Sequence, residues 1–302
     1  MNLSHRLAPD VEVVRMSGVG PILVEPGPEL EVQLTGTAQG LAALPPPEER
    51  PGLVRVAPCP TTWTPRQAIL RVPAGTTLRL EASAPYVRVN GVENLSLVNR
   101  TGNIVLRGIR GGATVAAPNG SVTLREVARA QVLRAASLIA RDVGLLQVDR
   151  LQGVADVGSV LDFRLTRASE VHLSDVEQAR LLRVDGKLGA RNATMVELGY
   201  VGAALQCEGC GAISLDCAAC GPIRLVDTGY FVASAVNDLS MVGGRARVGV
   251  VTGELVLHRV HAEVGQVRGR LRAFGCEGSV GPTRLTGERP AIQDSPALQR
   301  AG

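Results

Sequence analysis

The residues best suited to chemistry lie together at 207–225, CEGCGAISLDCAACGPIRL. Two Cys-x-x-Cys pairs, Cys207/Cys210 and Cys217/Cys220, supply four sulfurs of the kind that zinc takes at about 2.3 Å in a tetrahedron. Aligned on itself, the stretch places CEGCGAISLD over CAACGPIRLV, so that Cys207 matches Cys217 and Cys210 matches Cys220. Gly211, Ile213 and Leu215 match Gly221, Ile223 and Leu225 in the same way. The two pairs therefore occupy equivalent places in consecutive repeat units. If a coil holds two or three units, consecutive units face different ways, and a strand of four or five residues separates the pairs by roughly 13–17 Å. One ion cannot span that. Three readings stand: small buried cysteines, favoured by the inward run Ile213, Leu215, Cys217; a zinc or other metal site; and disulfide or redox use. The first is preferred, so no metal ligand, no cofactor and no catalytic residue is assigned.

Other chemistry is sparse. His258 and His261 share a His-x-x-His spacing, but on a strand His258 falls between the inward Leu257 and Val260 and faces solvent. His172 alternates with Val171 and Leu173 and reads as exposed. Asp149, Asp156, Asp162 and Asp175 could line one face, as in solenoid enzymes that cleave polysaccharides. That chemistry needs two carboxylates at a set separation, and such grooves stack sugars on aromatic rings, of which this chain has few. GVG at 18–20 is too short for a dinucleotide site, and there is no P-loop. The expectation is a protein that is not an enzyme.

The elements that would position these residues show a repeat of about nine residues. Apolar side chains recur at p, p+2 and p+5: Val87, Val89, Val92; Ile104, Leu106, Ile109; Val122, Leu124, Val127; Leu138, Ala140, Val143; Leu146, Val148, Leu151. The series runs on through Phe163, Leu165, Ala168; Val171, Leu173, Val176; Val196, Leu198, Val201; Leu255, Leu257, Val260; and Leu271, Ala273, Cys276. Residues p and p+2 share one side of a short strand, and the shift to p+5 implies a bend that turns a third residue inward. Such strands cannot stand alone, but a coiling chain can stack each on the last. The fold class expected is all-β: a right-handed parallel β-solenoid with two or three strands per coil. The segment 128–151 is rich in Ala, Leu and Arg and competes as an amphipathic helix, yet it keeps the same spacing and reads as strand. An N-terminal β region, 1–70, continues or caps the 71–282 solenoid; it holds the proline-rich LPPPEERPG loop at 44–52, and 283–302 reads as a loose tail or partial cap.

At 72–112, VPAGTTLRLEASAPYVRVNGVENLSLVNRTGNIVLRGIRGG, the chain resembles the bacterial putative-adhesin family of β-solenoid domains. Val72, Pro73 and Gly75 match that family's turn, and Gly102, Ile104, Leu106, Gly108 and Ile109 match one of its units. The resemblance is clear over about 70–130 and weaker to about 282. It implies the solenoid fold and no catalytic residues. Bactofilins, solenoids that polymerise end to end, are a more distant comparison.

Composition agrees with a narrow aliphatic interior. Of 302 residues 45% are hydrophobic but only 2% aromatic, so the core must rely on Val, Leu, Ile and Ala. Basic and acidic residues number 32 and 28, and over 100–191 they alternate, as on a mixed solvated face rather than a nucleic-acid track. No apolar run approaches bilayer length, and MNLSHRLAPDVEVV lacks a secretory h-region; a cytoplasmic protein with reduced thiols is expected. The function expected is a structural or assembly scaffold acting through the solenoid ends or faces, with homo-oligomers or polymers forming where unpaired strand edges are free. The alternatives are an arginine-bearing face that binds a protein or anionic ligand, and a zinc-binding role for the tandem cysteines.

Overall fold

The alternation of inward and outward residues is realised strand by strand. The computed structural model describes residues 2–8, 11–17, 19–42, 46–50, 53–56, 67–216, 221–286 and 291–294. It is an all-β solenoid, and among the described residues the five-residue Ala38–Ala42 is the one helix. The chain divides into two compact units, Met1–Gly153 and Val154–Gly302.

The coil is clearest in the second unit. Val171 pairs in parallel with Leu188, Leu188 with Leu205 and Leu205 with Ile223, in steps of 17 or 18 residues. Between them in sequence, on the other face, Ala179 pairs with Val196 and Val196 with Ile213. Each coil therefore carries two strands, and the nine-residue repeat is half a coil. In the first unit Tyr86 pairs with Asn103 and Leu95 with Ala113, the same step. The ambiguous 128–151 lies within one continuous strand run, Asn103–Leu151.

Every member of the ten apolar triplets is buried. The two faces are close enough that Val, Leu and Ala fill most of the space, and Phe163 and Phe231 are the largest fully buried side chains. The bend between p+2 and p+5 has a specific cause. In alternate half-coils the residue before the third apolar position is left-handed: Gly91, Gly108, Glu126 and Asp142 in the first unit, and Ser159, Asp175, Asn192, Gly209, Asp227, Gly243, Arg259 and Gly275 in the second. Their φ values run from 49° to 73°. Amides of this ladder donate up the stack, as from Gly91 to Arg107 O at 3.0 Å and from Asn192 to Glu208 O at 3.0 Å. A left-handed residue reverses the in/out alternation at the corner, so Val92 follows Val89 inward across three positions rather than two. Glycine, Asn and Asp tolerate this conformation best, and they fill most of the ladder. Gly102 serves differently: a Cβ there would lie 2.1 Å from Pro85 O, so the coils approach too closely for any side chain.

The N-terminal strands extend the stack out of sequence order. Val13–Ser17 pairs with both Leu53–Val56 and Thr77–Ser83, and Ile22–Pro26 pairs with both Gln67–Val72 and Tyr86–Asn90. The coil made by 13–26 is thus slotted between the coil of 53–72 and that of 77–90. Beyond it the direction reverses: Glu31–Thr35 lies antiparallel on Gln67–Val72, Asn2–Arg6 antiparallel on Glu31–Thr35, and Glu48–Arg50 antiparallel on Leu53–Val56. The LPPPEERPG segment, expected to be loop throughout, contributes Glu48–Arg50 because these three residues find an unpaired edge on Leu53–Val56. At the other chain end Thr283–Thr286 lies antiparallel on Glu277–Val280, and Ala291–Asp294 antiparallel on Arg270–Phe274. The tail is therefore in part a cap. Among the described residues two polar side chains are built into the interior, Asn99 and Thr228; Asn99 accepts from Ala84 N at 3.1 Å and donates to Ala84 O at 3.0 Å.

Candidate functional site

Outward residues of one face of the second unit stack into columns. His172, Gly189, Gln206, Arg224, Ser240 and Val256 stand in register, one per strand. At about 4.8 Å per strand the column runs roughly 24 Å. Gly189 leaves a dip in it, and a Cβ there would come within 3.3 Å of His172 Nδ1. The dip opens into a groove of about 600 Å³ walled by His172, Arg191, Gln206, Glu208 and Arg224. A smaller hollow of about 400 Å³ shares Gln206 and Arg224 and continues toward Ser240 and Glu254.

Most charges around the groove are neutralised locally. Arg191 pairs with Glu208 at 3.3 Å, His172 with Glu170 at 3.3 Å, and Arg272 with Glu254 at 3.4 Å. Asp238 accepts from Glu254 N at 2.7 Å. Arg224, at the junction of the two hollows, has no ion-pair partner among the described residues. An unpaired guanidinium beside the Gln206 amide suits a planar anionic group held through two N–H bonds.

The cysteines lie beneath this face. Cys207 and Cys210 are both buried, on either side of the left-handed Gly209. Cys207 keeps its proton, pushed well up by its hydrogen bond to Cys210 and by burial. The same hydrogen bond, with the backbone at Ala193 and Glu208, outweighs burial at Cys210 and brings its thiol down to about 7. Cys217 and Cys220 lie outside the described residues. The strands that carry the matched residues of the two units, Ala212–Leu215 and Ile223–Val226, do sit on different faces, since they pair in separate ladders. Cys276 is buried at the third apolar position of its triplet. Among the described residues no three His, Cys, Asp or Glu side chains gather as metal ligands would.

The carboxylates do not line up. Asp156 stands in register with His172, Asp162 with Gln178 on the other face, where it pairs with Arg164 at 2.8 Å, and Asp175 sits in the left-handed corner. His172, His258 and His261 are exposed, as their alternation requires; His261 faces Glu277 at 3.8 Å. A second charged cluster was not legible from spacing alone. Arg167 and Arg183, stacked in register, both bond Asp185 at 2.7 and 2.6 Å, and Arg183 lies 5.1 Å from the Tyr200 ring centre. Among the described residues no helix is long and apolar enough to cross a membrane.

No protein-family model matches the chain, and no curated protein is similar to it in sequence. Among solved structures, a "putative lipid binding protein" from Parabacteroides distasonis aligns over 90% of this chain and 96% of its own at 13% identity and a TM-score of 0.29. That likeness is too slight to bear on fold or function.

Proposed function

We propose that the protein is a non-enzymatic scaffold that presents its coil faces to a partner protein and withholds its ends from self-assembly. The observation that carries this reading is the reversal of strand direction at both chain ends. A parallel coil that polymerises must offer its own kind of edge; here the last strands run antiparallel and are three to five residues long. Charge adds to the effect at the N-terminal end, where the Asn2–Arg6 strand carries His5 and Arg6 and the Glu48–Arg50 strand is charged throughout, with His5 3.2 Å from Glu49. Short, charged edges discourage strand addition. Sedimentation velocity of the full chain over a wide concentration series tests the reading: one species at every concentration is expected, and filaments that grow with concentration would refute it.

A second reading is favoured by the unpaired Arg224: the groove binds an anionic group on a protein or small ligand. Retention of a polyglutamate probe that weakens as salt rises, and is lost in Arg224→Ala, would select it. Retention unaffected by that substitution would discard it.

A further inference from the structure

In an extended strand, side chains three positions apart point to opposite faces. The left-handed Gly209 abolishes that separation for Cys207 and Cys210, turning both inward with exposures of 3% and 2%. Cys210 Sγ lies 3.8 Å from the carbonyl oxygen of Ala190, the register partner of Cys207 on the preceding coil, and 3.6 Å from Glu208 O, so both thiols share one interior corner. The strand of Cys207 forms part of the groove wall, so the pair lies just beneath it. One coil further on, at the equivalent corner position, Thr228 is fully buried and its hydroxyl has no partner among the described residues. The stacking of the two corners is fixed by Gly229 N donating to Cys210 O at 2.8 Å.

We propose that Cys207 and Cys210 form a peroxide-responsive dithiol that closes to a disulfide within the chain. The Cys210 thiolate attacks one oxygen of hydrogen peroxide; the O–O bond breaks, and the departing hydroxide takes up a proton as water. Cys210 is left as a sulfenic acid. The Cys207 sulfur then attacks the Cys210 sulfur, the S–O bond breaks, and the hydroxyl leaves as water with the proton from Cys207. Two thiols and one peroxide become one disulfide and two waters, with two electrons passing from the sulfurs to the oxidant. Cys210 is the attacking sulfur because the hydrogen bond from Cys207 favours its thiolate, and Cys207 is already in place to resolve it. Burial selects the oxidant. A water-sized peroxide can reach sulfurs this enclosed, whereas a glutathione-type disulfide needs an open line of attack. The Thr228 hydroxyl supplies a donor on the neighbouring coil for the oxygen that Cys210 gains.

The test uses the full chain, reduced, desalted and treated with equimolar hydrogen peroxide, then alkylated in denaturant. Cleavage after Glu208 and before Asp216 puts Cys207 and Cys210 on separate peptides and Cys217 on a third. The first two peptides are expected to stay joined after peroxide, to part with reductant, and to remain separate after oxidised glutathione. In Cys207→Ser, a dimedone adduct is expected on Cys210; in Cys210→Ser, Cys207 is expected to stay a free thiol. Recovery of both residues as alkylated thiols from peroxide-treated wild type would overturn the proposal. So would Cys210 joined to the Cys217 peptide, or closure by glutathione as readily as by peroxide.

Discussion

Replacing a surface arginine by glycine within a β protein ordinarily weakens it; at Arg259 the sign should reverse. Arg259 holds φ at 55° in the left-handed ladder that turns each coil. A side chain in that conformation costs about 1–2 kcal/mol through the clash of Cβ with the following carbonyl, and glycine removes the clash. Against this stands the extra freedom of glycine in the unfolded chain, about 0.4–1 kcal/mol. The amide bond to Phe274 O, 2.9 Å, survives the change. Arg259→Gly should therefore stabilise the local coil by about 0.5–1 kcal/mol. Ser240→Gly, in the middle of the Leu239–Val242 strand, incurs only the entropic loss and should destabilise by about 0.5–1 kcal/mol. Both sites report on Leu255–His258, which follows Ser240's strand in the stack and immediately precedes Arg259. Because stacked coils open in pieces, amide hydrogen exchange there is the suitable assay. The two variants should differ by about 1–2 kcal/mol, or about 5- to 30-fold in exchange rate. If Arg259→Gly accelerates exchange as much as Ser240→Gly, the left-handed corner is not under strain and the account of the ladder is wrong.

Gly102→Ala should destabilise by about 3 kcal/mol, since its Cβ would meet the Pro85 and Ala84 carbonyls, which cannot give way; urea denaturation would show it. Phe231→Ala empties a fully buried site and should cost about 3–5 kcal/mol, seen as lost protection in Ala212–Leu215 and Arg245–Val251, the strands paired with its own. Asn99→Leu strands the Ala84 N–H in the interior, while Ala84 O keeps the Thr101 hydroxyl at 3.2 Å, and should cost about 1–3 kcal/mol, with thermal melting as the readout. Arg183, and then Arg167, hold the Asp185 carboxyl below the usual range. Its contribution is thus present above the unfolded carboxylate pKa and lost as pH falls through the lower folded value. The melting temperature of wild type should exceed that of Asp185→Asn at neutral pH, and the gap should close in strong acid.

The core was legible because inward positions are decided by alternation alone, and every triplet read from spacing is buried. The number of strands per coil was not legible in the same way. Both half-coils carry the same apolar triplet and differ only at the corner, where Asp142, Asp175, Asn192 and Asp227 do the work of glycine. A 16- to 18-residue spacing of Gly, Asn and Asp was the signal available for it, obscured where Glu126, Ser159 and Arg259 take the position. The groove depended on that missing number. His172, Gly189, Gln206 and Arg224 become neighbours only once the coil length places them in one column. For the cysteines, the tandem alignment revealed equivalence between units but not the turn that brings Cys207 against Cys210 within one unit.

The slotted coil near the N-terminus bears on how the chain is assembled as it is made. Residues 13–26 leave the ribosome before both of their neighbours in the stack, 53–72 and 77–90. They have no completed place until about residue 90 has emerged, and the first-made of these three coils must wait for the last. Trimming the first 26 residues is then unlike removing an end coil from a stack. It takes out a middle layer and leaves 53–72 held only by Glu31–Thr35 and Glu48–Arg50. Residues 13–26 thus behave as a keystone.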